Sequence, residues 1–312
     1  MSEFDDVMNA PDTPENPNAS AVRDIKKFQN DTGMSQAELC RKTGISTAVL
    51  SALLKGNYTG NVADNLKKVL AVIEQETERF RSMLKKPSYV ETTVSKTIDH
   101  NLALAQVDGR LLVIGGDNGA GKTVALKEFK RKYAATILIE INVTYGETTI
   151  LYDLAKAIGI DGHARKDMLF KGIVEVLHGT DRMIIVDEAD YLKVKGLDIL
   201  RSIYDHAEVP VVLVGSLDMK GKVMKMRTEY KYLTSRMDYI ELDNLQLGDT
   251  QAIVESVIPD AKSGVIETFH AASKHNARYL TKLMLLAQRT ALRNDCEIDS
   301  AVIKKAAENM II

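Results

Sequence analysis

Between residues 108 and about 243 short apolar runs alternate with longer amphipathic stretches. The runs 111–114, 137–141, 183–186, 211–214 and 239–242 are rich in β-branched residues and flanked by turn residues, so they read as five strands. Helical patterns lie between them. Strands that alternate with helices predict an α/β fold, a parallel sheet covered on both faces. After Asp249 no strand-like run persists, and the apolar spacing predicts helices over 250–257, 263–272, 277–293 and 299–310. Ahead of the alternating region, residues 21–86 carry short helical patterns that end at Pro87, and 87–107 reads as a connector. No repeat of 20–50 residues is present.

Within 21–86, the stretch from Ser35 to Gly56 has the punctuation of two short helices and a tight turn. Ser35 is an N-cap for 36–42, with Glu38 placed to complete a capping box. Gly44 stands where the turn needs a positive φ, and Ser46 caps the second helix. Leu39, Ile45, Leu50 and Leu53 set the contact between the helices, and Cys40 is a small packing residue there rather than a reactive thiol. This is a helix-turn-helix whose second helix, 47–54, would enter a major groove. Its outward face, Thr47, Ala48, Ser51 and Lys55, lacks the Arg, Asn and Gln that read base edges best. Thr47 and Ser51 on that face, and phosphate contacts from Arg41, Lys42, Lys55, Lys67 and Lys68, are expected instead of sequence reading. A helical protein-interaction module is the alternative that the same fold permits.

The alternating region carries its own chemistry. Gly116, Asp117, Asn118, Gly119, Ala120, Gly121, Lys122 and Thr123 fit G-x-x-x-x-G-K-[ST], after a strand and at the start of the helix 123–132, with Val124 next. Glycines let the backbone curl so that successive N–H groups face a phosphate, and the helix N-terminus adds its partial positive charge. Lys122 would reach the β- and γ-phosphates of ATP, and the Thr123 hydroxyl would coordinate Mg²⁺. The run 183–186 ends in Asp187 and Glu188. The first acid would join Thr123 on Mg²⁺ and the second would polarise the attacking water. Residues 187–190 also spell Asp-Glu-Ala-Asp, but too few residues follow for the second RecA-like domain of a helicase. Ser216, just after the run 211–214, is placed to touch the γ-phosphate or the water.

Charge refines this picture. The chain has 312 residues, 41 Lys and Arg against 43 Asp and Glu, and a formal net charge of −2, which excludes a uniformly basic nucleic-acid binder. Residues 1–20 form an acidic arm with three prolines and no Lys or Arg. Residues 21–86 reverse the sign, with twelve basic and seven acidic side chains. Local basic clusters follow at His163, Arg165, Lys166 and Lys171, at Lys193 and Lys195, and at Lys220, Lys222, Lys225, Arg227 and Lys231. A charge run is usually a solvated face; on an ATPase such clusters could instead line a surface that follows a DNA backbone. Cys40 and Cys296 are too few for a disulfide framework or a four-cysteine zinc site. No run approaches the roughly 18 apolar residues of a membrane span, so a soluble, cytoplasmic protein is expected.

Phosphate loop, acidic strand, polar strand end and C-terminal helices come in an order that resembles the AAA+ ATPases. The resemblance implies a sheet of order 5-1-4-3-2, an ATPase core over 108–248, a helical lid over 249–312 and an oligomer. It also implies an arginine finger, with Arg236 first and Arg227 second, and a lid sensor at Arg278. The family often has Gly two residues before that arginine, where this chain has Asn276. With the helix-turn-helix over 21–86 in front, the whole is similar to the transposition protein B family of Mu-like phages. That family implies an ATP-dependent, largely sequence-independent DNA binder that forms filaments on target duplex DNA, delivers it to a transposase and stimulates strand transfer. A helix-turn-helix transcription regulator with an ATPase signalling domain, or a helicase loader, are the competing classes.

Overall fold

A computed structural model describes residues 17–161, 164–229, 231 and 237–310. The chain forms two compact units, one from the residues up to Lys86 together with those from Leu283 onward, the other from Pro87 to Lys282.

The first unit opens with α1, Pro17–Thr32. Its first residues lie in the stretch that composition assigned to the arm, and Pro17 suits a first helical position because the N–H it lacks would have no partner there. The helix-turn-helix is α2, Gln36–Thr43, and α3, Thr47–Lys55. Ser35 accepts a bond from the Glu38 N–H at 3.2 Å and Ser46 one from the Val49 N–H at 3.3 Å. Of the expected capping box, the Ser35 half is what forms. Gly44 ends α2 at φ 70°, as the turn requires. The longer helix α4, Val62–Met83, completes the head. Ile25 and Phe28 of α1 and Leu66, Val69 and Ile73 of α4 close a core over Leu39, Cys40, Ile45, Leu50 and Leu53. Burial pushes the Cys40 thiol pKa up, in keeping with a packing role.

The second unit begins with α5, Thr93–Asp108, and then β1, Leu111–Gly115. Next come α6, Lys122–Lys132; β2, Ile137–Glu140; α7, Glu147–Ala157; and α8, Lys166–Leu177. Then follow β3, Ile184–Asp187; a 3₁₀ turn, Ala189–Tyr191; α9, Val194–Ala207; β4, Val211–Gly215; α10, Asp218–Glu229; and β5, Met237–Glu241. Neighbouring strands pair in parallel, in the order β2-β3-β4-β1-β5, which is the expected order. The pleat sorts the apolar strands into two cores. Leu111, Val113, Ile184, Val186, Val211 and Leu213 meet α7, α8, α9 and α10, while Leu112, Ile114, Ile185, Val212 and Val214 meet α5 and α6. Burial on both faces is why these strands read as unbroken apolar runs.

The helices α11, Leu247–Glu255, α12, Ser263–Ala272, α13, Ala277–Asn294, and α14, Ser300–Glu308, follow. Buried Asp249 ties α11 to the connector, accepting bonds from the Thr93 N–H at 2.7 Å, the Thr93 hydroxyl at 2.9 Å and the Gln246 N–H at 3.0 Å. The division between the units falls inside α13, so residues 249–312, read from sequence as one lid, are shared between the two. In the first unit, buried Gln288 of α13 exchanges two hydrogen bonds with the Lys85 backbone, at 2.8 and 2.9 Å. Among the described residues no helix is long and apolar enough to cross a membrane.

Candidate active site

The carboxyl ends of β1, β3 and β4 lie side by side, because β4 pairs with both β1 and β3. In a parallel sheet this is where loops converge on a ligand. The loop after β1 runs from Gly116 to Gly121, and α6 starts at Lys122. Gly119 and Gly121 take φ of 89° and 101°. Lys122 donates from Nζ to the Gly116 and Asp117 carbonyls, at 2.8 and 3.0 Å, so the side chain arches over its own loop. Burial lowers its pKa, while Asp187, Glu188, Asp190 and Asp117 pull the other way. Val124, the last residue of the expected loop set, is exposed on α6.

β3 delivers the acids. Asp187 is buried at the strand's end, and its Oδ2 accepts the Thr123 hydroxyl at 2.6 Å. Its other oxygen takes the Glu188 N–H at 2.9 Å. Glu188 sits at φ 57°, a conformation that costs a non-glycine residue on the order of 1–2 kcal/mol and turns the chain sharply out of the strand. Its carboxyl pKa is raised above the usual range, first by burial and then by neighbouring Asp187.

Asp190 does more than the sequence pattern suggests. Its Oδ2 accepts the Ser216 N–H at 2.8 Å and its Oδ1 the Ser216 hydroxyl at 2.7 Å. A Cβ on Gly215 would stand 2.5 Å from Asp190 Oδ2, so the glycine at the end of β4 is what lets the carboxylate in. The Ser216 oxygen also accepts the Asp218 N–H at 3.2 Å. A serine hydroxyl has one proton and two lone pairs. With the proton committed to Asp190 and one lone pair to Asp218, a single acceptor position remains.

Lys222 of α10, expected among the DNA contacts, lines this cleft. Its Nζ donates to the Asp190 carbonyl at 2.8 Å and to the Leu192 carbonyl. A cavity of about 350 Å³ is bounded by Asn118, Glu188, Asp190, Tyr191, Ser216, Asp218 and Lys222. α10 follows β4 in the chain, and the reach of a half-buried lysine back to the turn after β3 leaves no trace in the sequence.

Asn276, two residues before Arg278, is likewise informative only in three dimensions. It is buried, and its Nδ2 donates to the Asn118 carbonyl at 2.7 Å. Its Oδ1 accepts the Arg278 and Tyr279 N–H groups at 3.1 and 3.2 Å, which caps α13. The Arg278 N–H in turn donates to the Gly119 carbonyl at 3.1 Å. Arg278 therefore starts its helix against the phosphate loop. Arg236 lies outside the described residues, as does His163, and the Arg227 side chain is likewise not described.

The expected DNA contacts fall into three groups. In the head, Arg41, Thr47, Lys55 and Lys67 are exposed and Ser51 is half-buried. Lys42 is not free, since it is ion-paired to Glu76 of α4 at 2.7 Å, and Lys68 stands 4.0 Å from Asp64. On the second unit two clusters that are distant in sequence come together, because Glu147 at the start of α7 pairs with Lys166 at 3.0 Å and Lys195 at 3.8 Å. Arg165 pairs with Asp167, and Lys171 and Lys193 are exposed nearby in the chain. In the third group Lys225 is exposed, whereas Lys220 is held by Glu241 at 2.8 Å over the Tyr239 ring.

Sheet order, phosphate loop and acidic strand end together define a P-loop ATPase of the AAA class with a helix-turn-helix head. The family model described as an AAA domain matches residues 106–222, and the one described as a Cro/C1-type HTH DNA-binding domain matches 24–74. The chain is 33% identical over 242 residues to the Mu-like prophage FluMu DNA transposition protein B of Haemophilus influenzae, covering 75% of this chain and 84% of that one. It belongs to that transposition protein B family. Identity to the ATP-dependent target DNA activator B of Escherichia phage Mu is 28% over 184 residues, 57% of this chain and 58% of the relative. Among solved structures, the Aeropyrum pernix ORC2 protein in its ADPNP–ADP complexes superposes with a TM-score of 0.56 over 73% of this chain and 71% of that one, at 15% identity. A Thermotoga maritima RuvB mutant gives 0.50 over 72% and 73%, at 16%. These two likenesses show the fold alone.

Proposed function

We propose that this ATPase is a target-DNA activator, which binds duplex DNA largely without regard to sequence when loaded with ATP, assembles along it and presents it to a transposase. The observation that carries the reading is the pairing of a phosphate loop and acidic strand end with basic positions that can meet phosphates but are poor readers of bases. The α3 face offers Thr47, Ser51 and Lys55. The region around Glu147 gathers Arg165, Lys166 and Lys195 at the starts of α8 and α9, where helix N-termini add to the positive field. Lys171, Lys193 and Lys225 extend the same reading, and Lys42 and Lys220 do so only by exchanging Glu76 and Glu241 for a phosphate. The name of the phage Mu relative, an ATP-dependent target DNA activator, points the same way.

In the cleft, Lys122 and the loop N–H groups cradle the β- and γ-phosphates. Thr123 and Asp187 are hard oxygen donors already in contact, a pair suited to Mg²⁺. Bound there, the ion would neutralise phosphate charge. Water attacks the γ-phosphorus with its proton passing to Glu188, the bond to the β,γ-bridging oxygen breaks, and ADP and inorganic phosphate leave. Ser216 has one acceptor position with which to orient that water. Arg278 meets the nucleotide from the lid side, and Arg236 or Arg227 is the arginine offered across a subunit interface. ATP then joins subunits, and the coupling between nucleotide and DNA runs in both directions.

Electron microscopy of the full chain with random duplex DNA tests this. ATP-dependent filaments, absent with ADP, are expected. Tight dimeric binding to one palindromic sequence would place the protein among transcription regulators instead, and binding to a hexameric helicase but not to duplex would make it a loader.

A further inference from the structure

The hydrogen bonds at the mouth of the cleft leave one task unassigned. Ser216 has given its proton to Asp190, so it can accept from a water but cannot donate to a γ-phosphate oxygen. Around it the cavity wall carries the carboxylates of Glu188, Asp190 and Asp218. A terminal phosphate held by Lys122 on the loop side meets like charge on the cavity side unless a second cation faces it there. Lys222 is the one cation among the described lining residues. Its ammonium has three protons, of which two are taken by the Asp190 and Leu192 carbonyls. The third has no acceptor among the described residues.

We propose that Lys222 is a catalytic residue of this chain, contacting the γ-phosphate from the cavity side through its remaining N–H while Ser216 holds the attacking water. The two lysines of the site then use one device. Lys122 is clasped to the carbonyls of 116 and 117, and Lys222 to those of 190 and 192, so each ammonium is held in place by neutral acceptors and keeps its charge for the phosphate. An ion pair would have cancelled that charge. Burial lowers the Lys222 pKa while Asp190 draws it back up, as for a cation kept in a partly dry site. As water bonds to the γ-phosphorus and the bridging oxygen leaves, negative charge shifts towards the leaving oxygen and the equatorial oxygens. A fixed donor there favours the transition state.

This inference rests on the cleft being an ATP site, which ADP binding by the wild-type chain checks separately. Lys222→Gln retains N–H donors for the two carbonyls and removes the charge. Lys222→Met removes both, and Lys222→Arg keeps the charge. With Mg²⁺ present, equilibrium titrations with ADP and with a non-hydrolysable ATP analogue read the effect. Lys222→Gln should bind ADP as wild type does, bind the analogue about tenfold more weakly, and hydrolyse ATP on the order of a hundredfold more slowly. Lys222→Arg should recover much of the preference for the triphosphate. An unchanged preference in Lys222→Gln, or equal weakening for ADP and the analogue, would overturn the proposal and leave Lys222 as a brace for the turn after β3. Failure of Lys222→Met to fold, alongside full preference in Lys222→Gln, would overturn it in the same way.

Discussion

Gly44 in the head and Gly119 in the phosphate loop both take a left-handed conformation, at φ 70° and 89°, but they answer to different neighbours. A Cβ on Gly44 would meet nothing within 4 Å, whereas on Gly119 it would stand 2.5 Å from Asn276 Oδ1 and 2.9 Å from the Arg278 Cβ. The turn of the helix-turn-helix is a local matter, settled by chain geometry and two serine caps. The phosphate loop is pinned by a residue 158 positions away from its nearest bonded partner. A motif can thus be equally plain in sequence and yet be positioned at short range in one unit and at long range in the other.

The largest test of that contrast removes the loop's charge. Lys122→Ala should reduce ATP hydrolysis by at least about 10²–10³-fold, and with it ATP-dependent DNA binding, while far-ultraviolet circular dichroism of the head's helices stays as in wild type. Normal DNA assembly by this variant would separate the DNA function from the cleft. Glu188→Gln comes next, with hydrolysis slowed about 10²–10⁴-fold and ATP still bound, so DNA complexes should outlive those of wild type. Glu188 must be ionised to accept the water's proton, and its pKa is raised. Wild-type hydrolysis should therefore fall as pH drops through a value above the ordinary 4.5 of a glutamate, and a rate–pH profile without that limb would remove Glu188 from the role.

The glycines give the middle of the scale. Gly119→Ala should weaken nucleotide binding about tenfold or more, because the methyl group must displace Asn276 and with it the bond to the loop. Gly44→Ala should leave nucleotide binding alone and cost the head roughly 1–2 kcal/mol, read by chemical denaturation. Equal effects of the two on ATP affinity would erase the distinction. Ser46→Ala should cost about 1 kcal/mol through the lost cap of α3, again without a change in hydrolysis. The smallest expected effect is Lys55→Ala, which should lower the salt dependence of DNA binding by about one unit of slope and act alike on all sequences.

Elements whose cause is local were legible in the chain. The five strands, the caps at Ser35 and Ser46, the C-cap glycine at 44 and the phosphate loop each follow from patterns spanning a few residues, and the parallel order of the sheet came with the resemblance to AAA+ ATPases. The role of Asp190 was hidden, since its side chain is defined by Ser216 on another strand end. Lys222 read as one more basic residue in a run, and burial gave it a different address from exposed Lys225. The pairing of Lys166 and Lys195 through Glu147 was equally invisible, because three helix starts meet only once the sheet is ordered.

By itself, then, the sequence determined the two kinds of fold, the ATP chemistry and the signs of charge along the chain, because period, propensity and motif spacing act over single elements. The tertiary structure decided which polar groups are left free. Hydrogen-bonding capacity is finite, and its use depends on groups brought within about 3 Å by packing. Packing committed the Ser216 proton to Asp190, tied Asn276 to the loop, and set Lys222 against the turn after β3.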